Sequence, residues 1–369
     1  MKKQFLGLAF AAITLPTVAL ALNETEPPPP PPSESLSPNE IVAGAPANEW
    51  VVIDEEDLLV MTLAPDRDGN ERKVVIQLMP APFSQGWVEN IRTLARAEWY
   101  DGISVNRVQD NYVVQWGDPG HDNPEGEGIE TKPLPEGLNV MDEGDYTSTN
   151  ADLTVAVFGS LTGVDLRTLT EEEQLALFDE ADLEKIRSSK DIAEKAIGQD
   201  AYSRKALHSM GWALAQSAGD IDSQVWPVHC YGMVGVGRNF SPDTGSGAEL
   251  YTVVGHAPRH LDRNIALAGR IIDGMEHLSS LPRGSGVLGF YTEEEADLRT
   301  PILSIRVASD LPEDERPQFE YLSTEGETFA NYAEARANRR DPFFIVPAGG
   351  ADICNIPVPI RAVNSEGGE

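Results

Sequence analysis

Cysteine is nearly missing from this chain: Cys230 and Cys354 are the two in 369 residues. That excludes a disulfide-built scaffold and a four-cysteine zinc site. Positive charge is scarce too, with 28 Lys and Arg against 60 Asp and Glu and a formal net charge of −32. A nonspecific nucleic-acid binder needs a basic face to displace counterions from phosphate, so that class is excluded. The same acidity disfavours contact with anionic phospholipid. Beyond the N-terminus no segment is apolar for long enough to span a bilayer. There is no internal repeat and no G-x-S-x-G motif, and nothing else suggests a hydrolase. What is present is 41% hydrophobic residues, enough for a packed core, and a length that fits about two domains or one with large insertions.

The N-terminus reads as an export signal. Lys2 and Lys3 precede an uncharged stretch from Phe5 to Leu22, which closes on the small-x-small pattern Ala19-Leu20-Ala21. We expect residues 1–21 to be a cleaved Sec-type signal peptide, the mature protein to be periplasmic, and no stable membrane insertion to remain. Residues 22–48, with six consecutive prolines from Pro27 to Pro32, are expected to form a disordered, semi-rigid spacer.

From Trp50 the texture becomes that of a folded domain. Asp57–Ala64 and Lys73–Met79 are β-prone runs around the turn-rich Pro65–Asn70, and together predict a hairpin. Trp87, Ile91, Leu94 and Ala95 recur at helical spacing within residues 83–97. Strands are expected at 103–108 and 112–116, then a long Gly-, Pro- and acid-rich loop over 119–150. Residues 170–215 read as helical: Thr170 and Glu173 spell a capping box, Leu175, Phe178, Ala181 and Leu183 an apolar side. Leu207, Met210, Gly211 and Leu214 predict a second helix over 201–215. Strands follow at 230–236, 250–254, 264–272 and 301–307, with a short helix near 273–281 and another around 329–338.

Two short motifs invite other readings. Gly284-Ser-Gly-Val-Leu-Gly289 has the spelling of a dinucleotide fingerprint, but Pro282 precedes it and Glu293-Glu-Glu295 follows, where a pyrophosphate would be repelled. His256 and His260 are four apart, but Pro258 lies between them and no C-x-x-C accompanies them, so they do not make a zinc site.

Lys73–Leu78, Trp87–Leu94, Tyr100–Val108, Asn111–Pro119, Gly232–Arg238, Gly247–Val253 and Leu261–Met275, taken in this order across residues 70–309, resemble the motifs of the cyclophilin-type peptidyl-prolyl isomerases. Lys73-Val-Val-Ile-Gln-Leu78 is similar to the family's early strand, and Trp87-Val-Glu-Asn-Ile-Arg-Thr-Leu94 to its first helix. Tyr100-Asp-Gly-Ile-Ser-Val-Asn-Arg-Val108 resembles Y-D-G-x-x-F-H-R-V, and Asn111-Tyr-Val-Val-Gln-Trp-Gly-Asp-Pro119 resembles G-F-x-x-Q-G-G-D-P. Later, Gly232-Met-Val-Gly-Val-Gly-Arg238 and Gly247-Ala-Glu-Leu-Tyr-Thr-Val253 are similar to G-x-V-x-M-A-R and G-S-Q-F-F-I. The run from Leu261-Asp262 to Gly274-Met275 resembles L-D-x-x-x-x-V-F-G-x-V-x-x-G-M.

The resemblance implies a mainly β fold, a closed eight-stranded antiparallel barrel with two capping helices, over residues 49–309. A helical insertion at about 120–228 interrupts it, and residues 310–369 form a C-terminal extension. It implies catalysis of X-Pro rotation in exported proteins, assisting folding, with proline-containing polypeptides as substrates and neither metal nor organic cofactor. The alternative is a catalytically weak proline-binding chaperone or scaffold on the same fold. By match to the family's motifs, Arg107 and Gln115 are the catalytic residues, and Tyr112, Val113, Tyr251, Leu261 and His260 bind substrate. The chain departs from the pattern at Asn106, Glu249, Tyr251, His260 and Ile265, so about half of the outer pocket has changed. Tyr251 adds a hydroxyl that needs a partner or water. Glu249 and His260 are expected at the surface near the rim. Cys230 and Cys354 are either a disulfide stapling the tail to the barrel or two buried thiols, and thiol titration of denatured, unreduced protein separates the two.

Overall fold

The structure, a computed structural model, describes residues 35–118, 130–164, 170, 180–219 and 222–363. The expected signal peptide, the proline run, Pro119 and Glu173, Leu175 and Phe178 lie outside the described residues.

Short runs rich in Val, Ile and Leu, several of them buried along their whole length, build the central element. Its strands are β2 (Leu58–Leu63), β3 (Arg72–Leu78), β4 (Ser104–Val108), β5 (Val113–Gly117), β10 (Met233–Val236), β11 (Leu250–Val253), β12 (Leu267–Asp273) and β13 (Ile302–Val307). The remaining strands are β1 (Trp50–Val52), β6 (Ser148–Thr149), β7 (Lys205–Ser209), β8 (Trp212–Gln216), β9 (Gln224–Pro227), β14 (Phe319–Leu322) and β15 (Ile360–Ala362). The eight central strands pair antiparallel in the order β13-β2-β3-β12-β10-β11-β5-β4. The two ends meet through Ile302 N donating to Ile103 O (2.8 Å) and Val105 N to Thr300 O (2.9 Å), so the sheet curls into a nearly closed barrel. Closure removes the edges that an open sheet exposes to association. The Gln85–Arg96 helix covers one mouth, burying Trp87, Val88, Ile91, Leu94 and Ala95 against the barrel core. Trp87 Nε1 is satisfied by the carbonyls of Thr244 (3.1 Å) and Gly245 (3.0 Å). Near β3 lies a single helical turn, Glu276–Ser279.

The insertion departs from its sequence reading. It has helices, Asn150–Thr162 and Glu180–Ala196, but also a four-stranded sheet in the order β6-β9-β8-β7. The helix expected over 201–215 is the β7–β8 hairpin. Its turn is Met210-Gly211, both at positive φ (52° and 80°), the conformation of the primed two-residue turns that match strand twist. Both faces of the hairpin are covered: Leu207, Trp212 and Leu214 join the barrel core, Ala206 and Ala215 a second cluster with Trp226. With no solvated face there is no polar alternation, and the 3.6-residue spacing of Leu207, Met210 and Leu214 was coincidental.

The spacer assignment also ends too late. Ser37-Pro38-Asn39-Glu40 is a capping box, with Ser37 N donating to Glu40 Oε2 (2.7 Å) and Pro38 at the first helical turn, and it starts the helix Pro38–Ala43. Ile41 and Val42 of that helix pack with Trp50, Phe329 and Tyr332. Trp50 belongs to a three-stranded sheet, β1-β14-β15, which pairs the N-terminal and C-terminal extensions. The Glu327–Ala337 helix, expected around 329–338, supplies Phe329, Tyr332 and Ala333 to the same cluster. Beyond it, Cys354 is joined to Cys230 by a disulfide with a Cα–Cα distance of 5.1 Å.

The junction of insertion and tail has a pH consequence. His208 of β7 is buried with its ring against Phe329 (centroids 5.0 Å), and burial pushes its imidazole from the ordinary 6.5 down to about 4. Below about pH 6.5 the unfolded chain takes up a proton that the folded chain refuses. This stability is complete above about 6.5 and is lost progressively down to about 4, by about 3 kcal/mol in all. Urea midpoints are expected to fall as pH drops from 7 toward 5, and to fall less in His208→Leu. A wild-type midpoint that is flat over that range contradicts the assignment.

Candidate functional site

One barrel face gathers most of the residues singled out by sequence. β4 and β5 are registered with Arg107 opposite Gln115, and Val105 opposite Trp116, so Asn106 is an extra residue in a β-bulge. The bulge sends Asn106 inward, where its Nδ2 donates to Gly117 O (2.9 Å), and turns Arg107 to the half-exposed face. Arg107 donates through Nε to Leu288 O (2.7 Å), through Nη1 to Gln115 Oε1 (3.1 Å) and through Nη2 to Gln109 Oε1. Its carbon Cζ lies 5.6 Å from the centre of the Tyr112 ring and 5.3 Å from that of Phe290. All three acceptors are neutral, so the guanidinium charge is held in place without being cancelled. A second N–H remains on each terminal nitrogen for a ligand, since a guanidinium carries five. Burial lowers the Arg107 pKa and raises that of Tyr112.

Arg107, Tyr112 and Gln115 line a cleft of about 190 Å³ with Val113, Tyr251, Leu261, Ile265, Leu288, Phe290 and Arg238. That is smaller than the 300–1,000 Å³ typical of drug-sized ligand sites and matches one compact apolar group beside a fixed cation. Arg107, Gln115, Tyr112, Val113, Tyr251 and Leu261 thus come together. His260 does not line the cleft: it is exposed and stacks on the outer side of Tyr112, ring centroids 6.4 Å apart and planes within 8°. Glu249, expected near the rim, is buried instead. The reason is Gly117, whose position a Cβ would place 1.7 Å from Glu249 Oε2. The missing side chain at 117 is the space that the carboxylate fills. The Cys230–Cys354 disulfide lies outside the cleft lining.

Sequence reasoning missed Leu288 and Phe290. Leu288 belongs to the Gly284–Gly289 loop and Phe290 follows it directly; the segment folds against β4, with an isolated bridge between Arg107 and Phe290. Leu288 sits at φ 55°, a left-handed conformation that costs a side-chain-bearing residue energy and recurs at functional sites. Gly289, at φ +82°, passes so close to β4 that a Cβ would fall 2.7 Å from Gln109 Cα. The spelling of this loop was therefore a signal of tight backbone approach, with a strand rather than a ligand on the other side.

The family model for cyclophilin type peptidyl-prolyl cis-trans isomerase/CLD matches residues 69–307. Among solved structures, the chain is similar to the cyclophilin AquaCyp293 from Hirschia baltica, at 18% identity and a TM-score of 0.57, covering 89% of this chain and 98% of that one. It also matches a Cryptosporidium parvum cyclophilin type peptidyl-prolyl cis-trans isomerase at 12% identity and a TM-score of 0.35, over 68% of this chain and 96% of the other. A structure of that protein in the presence of the dipeptide Ala-Pro gives 11% identity and 0.32, over 68% and 97%. No curated protein matches by sequence.

Proposed function

The chain belongs to the cyclophilin-type peptidyl-prolyl cis-trans isomerase family, and from that premise we propose that it accelerates X-Pro rotation in exported polypeptides, assisting their folding, at the cleft around Arg107. The observation that carries the reading is the uncancelled guanidinium, fixed by Gln115, Gln109 and Leu288 beside a small apolar cleft. Rotation about an amide faces a barrier of about 18–20 kcal/mol because resonance is lost as the bond twists. Twisting localises the lone pair on the proline nitrogen. A fixed donor that meets this lone pair binds the twisted amide better than the planar one, and each 1.36 kcal/mol of that preference is about tenfold in rate. Tyr112, Val113, Tyr251 and Phe290 supply walls for the ring, and the cation, half withdrawn from water, makes stronger hydrogen bonds than it would in bulk. No nucleophile or proton transfer is required.

Export is part of the proposal. The charged start, apolar stretch and Ala19-Leu20-Ala21 site support it, and so does the disulfide, which persists in an oxidising compartment. Two measurements test the reading. The purified chain is expected to speed proline-limited refolding or cis-to-trans conversion of an Ala-Pro peptide. Expressed in a Gram-negative host, it is expected in the periplasmic fraction with Leu22 at its N-terminus. Absence of acceleration with retained proline-peptide binding supports the scaffold reading instead, and an uncleaved cytoplasmic product removes export.

A further inference from the structure

Behind the cleft, the hydroxyl of Tyr251 meets a buried relay of charged and polar groups. Its oxygen is 2.9 Å from Nε2 of His229, which is wholly buried. Nδ1 of His229 is 2.9 Å from Asp262 Oδ1, and the backbone N of His229 donates to the same oxygen at 3.1 Å. Asp262 Oδ2 accepts from Arg259 Nε at 2.6 Å. Arg259, also buried, then grips Asp200 with both terminal nitrogens, at 2.8 and 3.3 Å. Asp200 lies between the Glu180–Ala196 helix and β7, within the insertion, where Tyr202 N (3.0 Å) and Ser203 Oγ also donate to it.

The relay has a direction. Asp262 accepts from the backbone N of His229 and from Arg259 Nε, neither of which depends on the imidazole tautomer, so its Oδ1 faces Nδ1 of His229 as an acceptor; Nδ1 then carries the proton and Nε2 presents its lone pair to the Tyr251 hydroxyl. β10 leaves room for the same ring and hydroxyl: a Cβ at Gly235 would fall 2.3 Å from both Cζ and the oxygen of Tyr251. His229 and Gly235, six residues apart, thus both face the oxygen that a phenylalanine would not carry.

We propose that His229 is a positioning residue for the proline cleft, holding the Tyr251 ring through its hydroxyl, and that the insertion holds His229 in turn through Asp200 and Arg259. The inference rests on the isomerase reading for its functional meaning. It makes the insertion part of the cleft's support. Without His229 the buried hydroxyl has lost its acceptor, and the ring turns to find water where the cleft offers it, at the expense of ligand.

The test uses the full mature chain and an Ala-Pro peptide. His229→Leu is expected to raise KM about tenfold while kcat falls less than about threefold, because Arg107 is untouched. Adding Tyr251→Phe is expected to recover most of that loss, since removing both polar partners leaves neither unsatisfied. Asp200→Asn, at the outer end, is expected to raise KM about two- to fivefold. An unchanged KM in folded His229→Leu, or a defect that Tyr251→Phe does not relieve, overturns the positioning role. An unchanged KM in Asp200→Asn overturns the part given to the insertion. Nitrogen-15 spectra of the wild type cover the case in which His229→Leu does not fold: an unprotonated Nε2 on His229 is expected, and a protonated Nε2 overturns the proposal. If the wild type turns over no proline peptide, the isomerase reading fails, while the spectra still decide the relay.

Discussion

Arg107→Ala is expected to lower kcat/KM for a proline peptide by roughly 10²–10³-fold, the loss found when one preorganised donor to a transition state is removed. The size follows from the setting. The guanidinium is fixed by three neutral oxygens and flanked by Tyr112 and Phe290, so its alignment costs little at the moment of rotation. Arg107→Lys keeps the charge but not the planar fork, and cannot hold Gln109, Gln115 and Leu288 while reaching a ligand. It is expected to remain at least tenfold impaired. Because the side chain is half-exposed, thermal unfolding should change little, which separates chemistry from folding. An Arg107→Ala protein within twofold of wild type would falsify the site assignment, whatever the family.

The second large effect is on stability. Cys230 and Cys354 are separated by 124 positions, and closing a loop of that length removes enough denatured-state entropy for about 5 kcal/mol of stability in the chain-entropy model. Reduction, or Cys230→Ala with Cys354→Ala, is therefore expected to cost about 3–5 kcal/mol and to lower Tm by roughly 4–7 °C for a chain of this length. The tail should not detach completely. Gly198 N still donates to Ala351 O (2.7 Å), Ala351 N to Ala196 O (3.0 Å), and β15 still pairs with β14. Isomerase activity at 25 °C is expected to survive, since the disulfide lies outside the cleft lining. A Tm that does not move on reduction contradicts this prediction: the crosslink would then remove no net entropy from the unfolded chain.

The barrel was legible through short β-prone runs bounded by turn residues and, above all, through the order of the family's motifs. The family's ordered motifs fell on β3, β4, β5, β10, β11 and β12. Arg107, Gln115 and Tyr112 were legible for the same reason. The β7–β8 hairpin was not, because both of its faces are buried and a two-faced strand has the composition of a helix core. The Ser37 cap was overlooked beside a proline run that dominates the composition of its surroundings. His229, Asp262, Arg259 and Asp200 were illegible for a different reason. No spacing in the sequence joins positions 200, 229, 251, 259 and 262, and only the packing of the insertion against the barrel brings them into line. Tyr251 alone carried a hint, a hydroxyl in need of a partner.

The small sheet at the chain's two extensions sets a timetable for synthesis. β14 lies between β1 and β15, so its first residue, Phe319, must be made before the strand at Trp50 has anything to pair with. At about 5–20 residues per second, that interval is on the order of tens of seconds. Throughout it, β1 is a nascent strand with a bare edge, and the apolar faces of Trp50, Ile41 and Val42 have no Phe329 or Tyr332 to cover them. The small sheet is completed only once Phe319 and the residues after it have been made, whereas the barrel strands, which end at Val307, are already present by then.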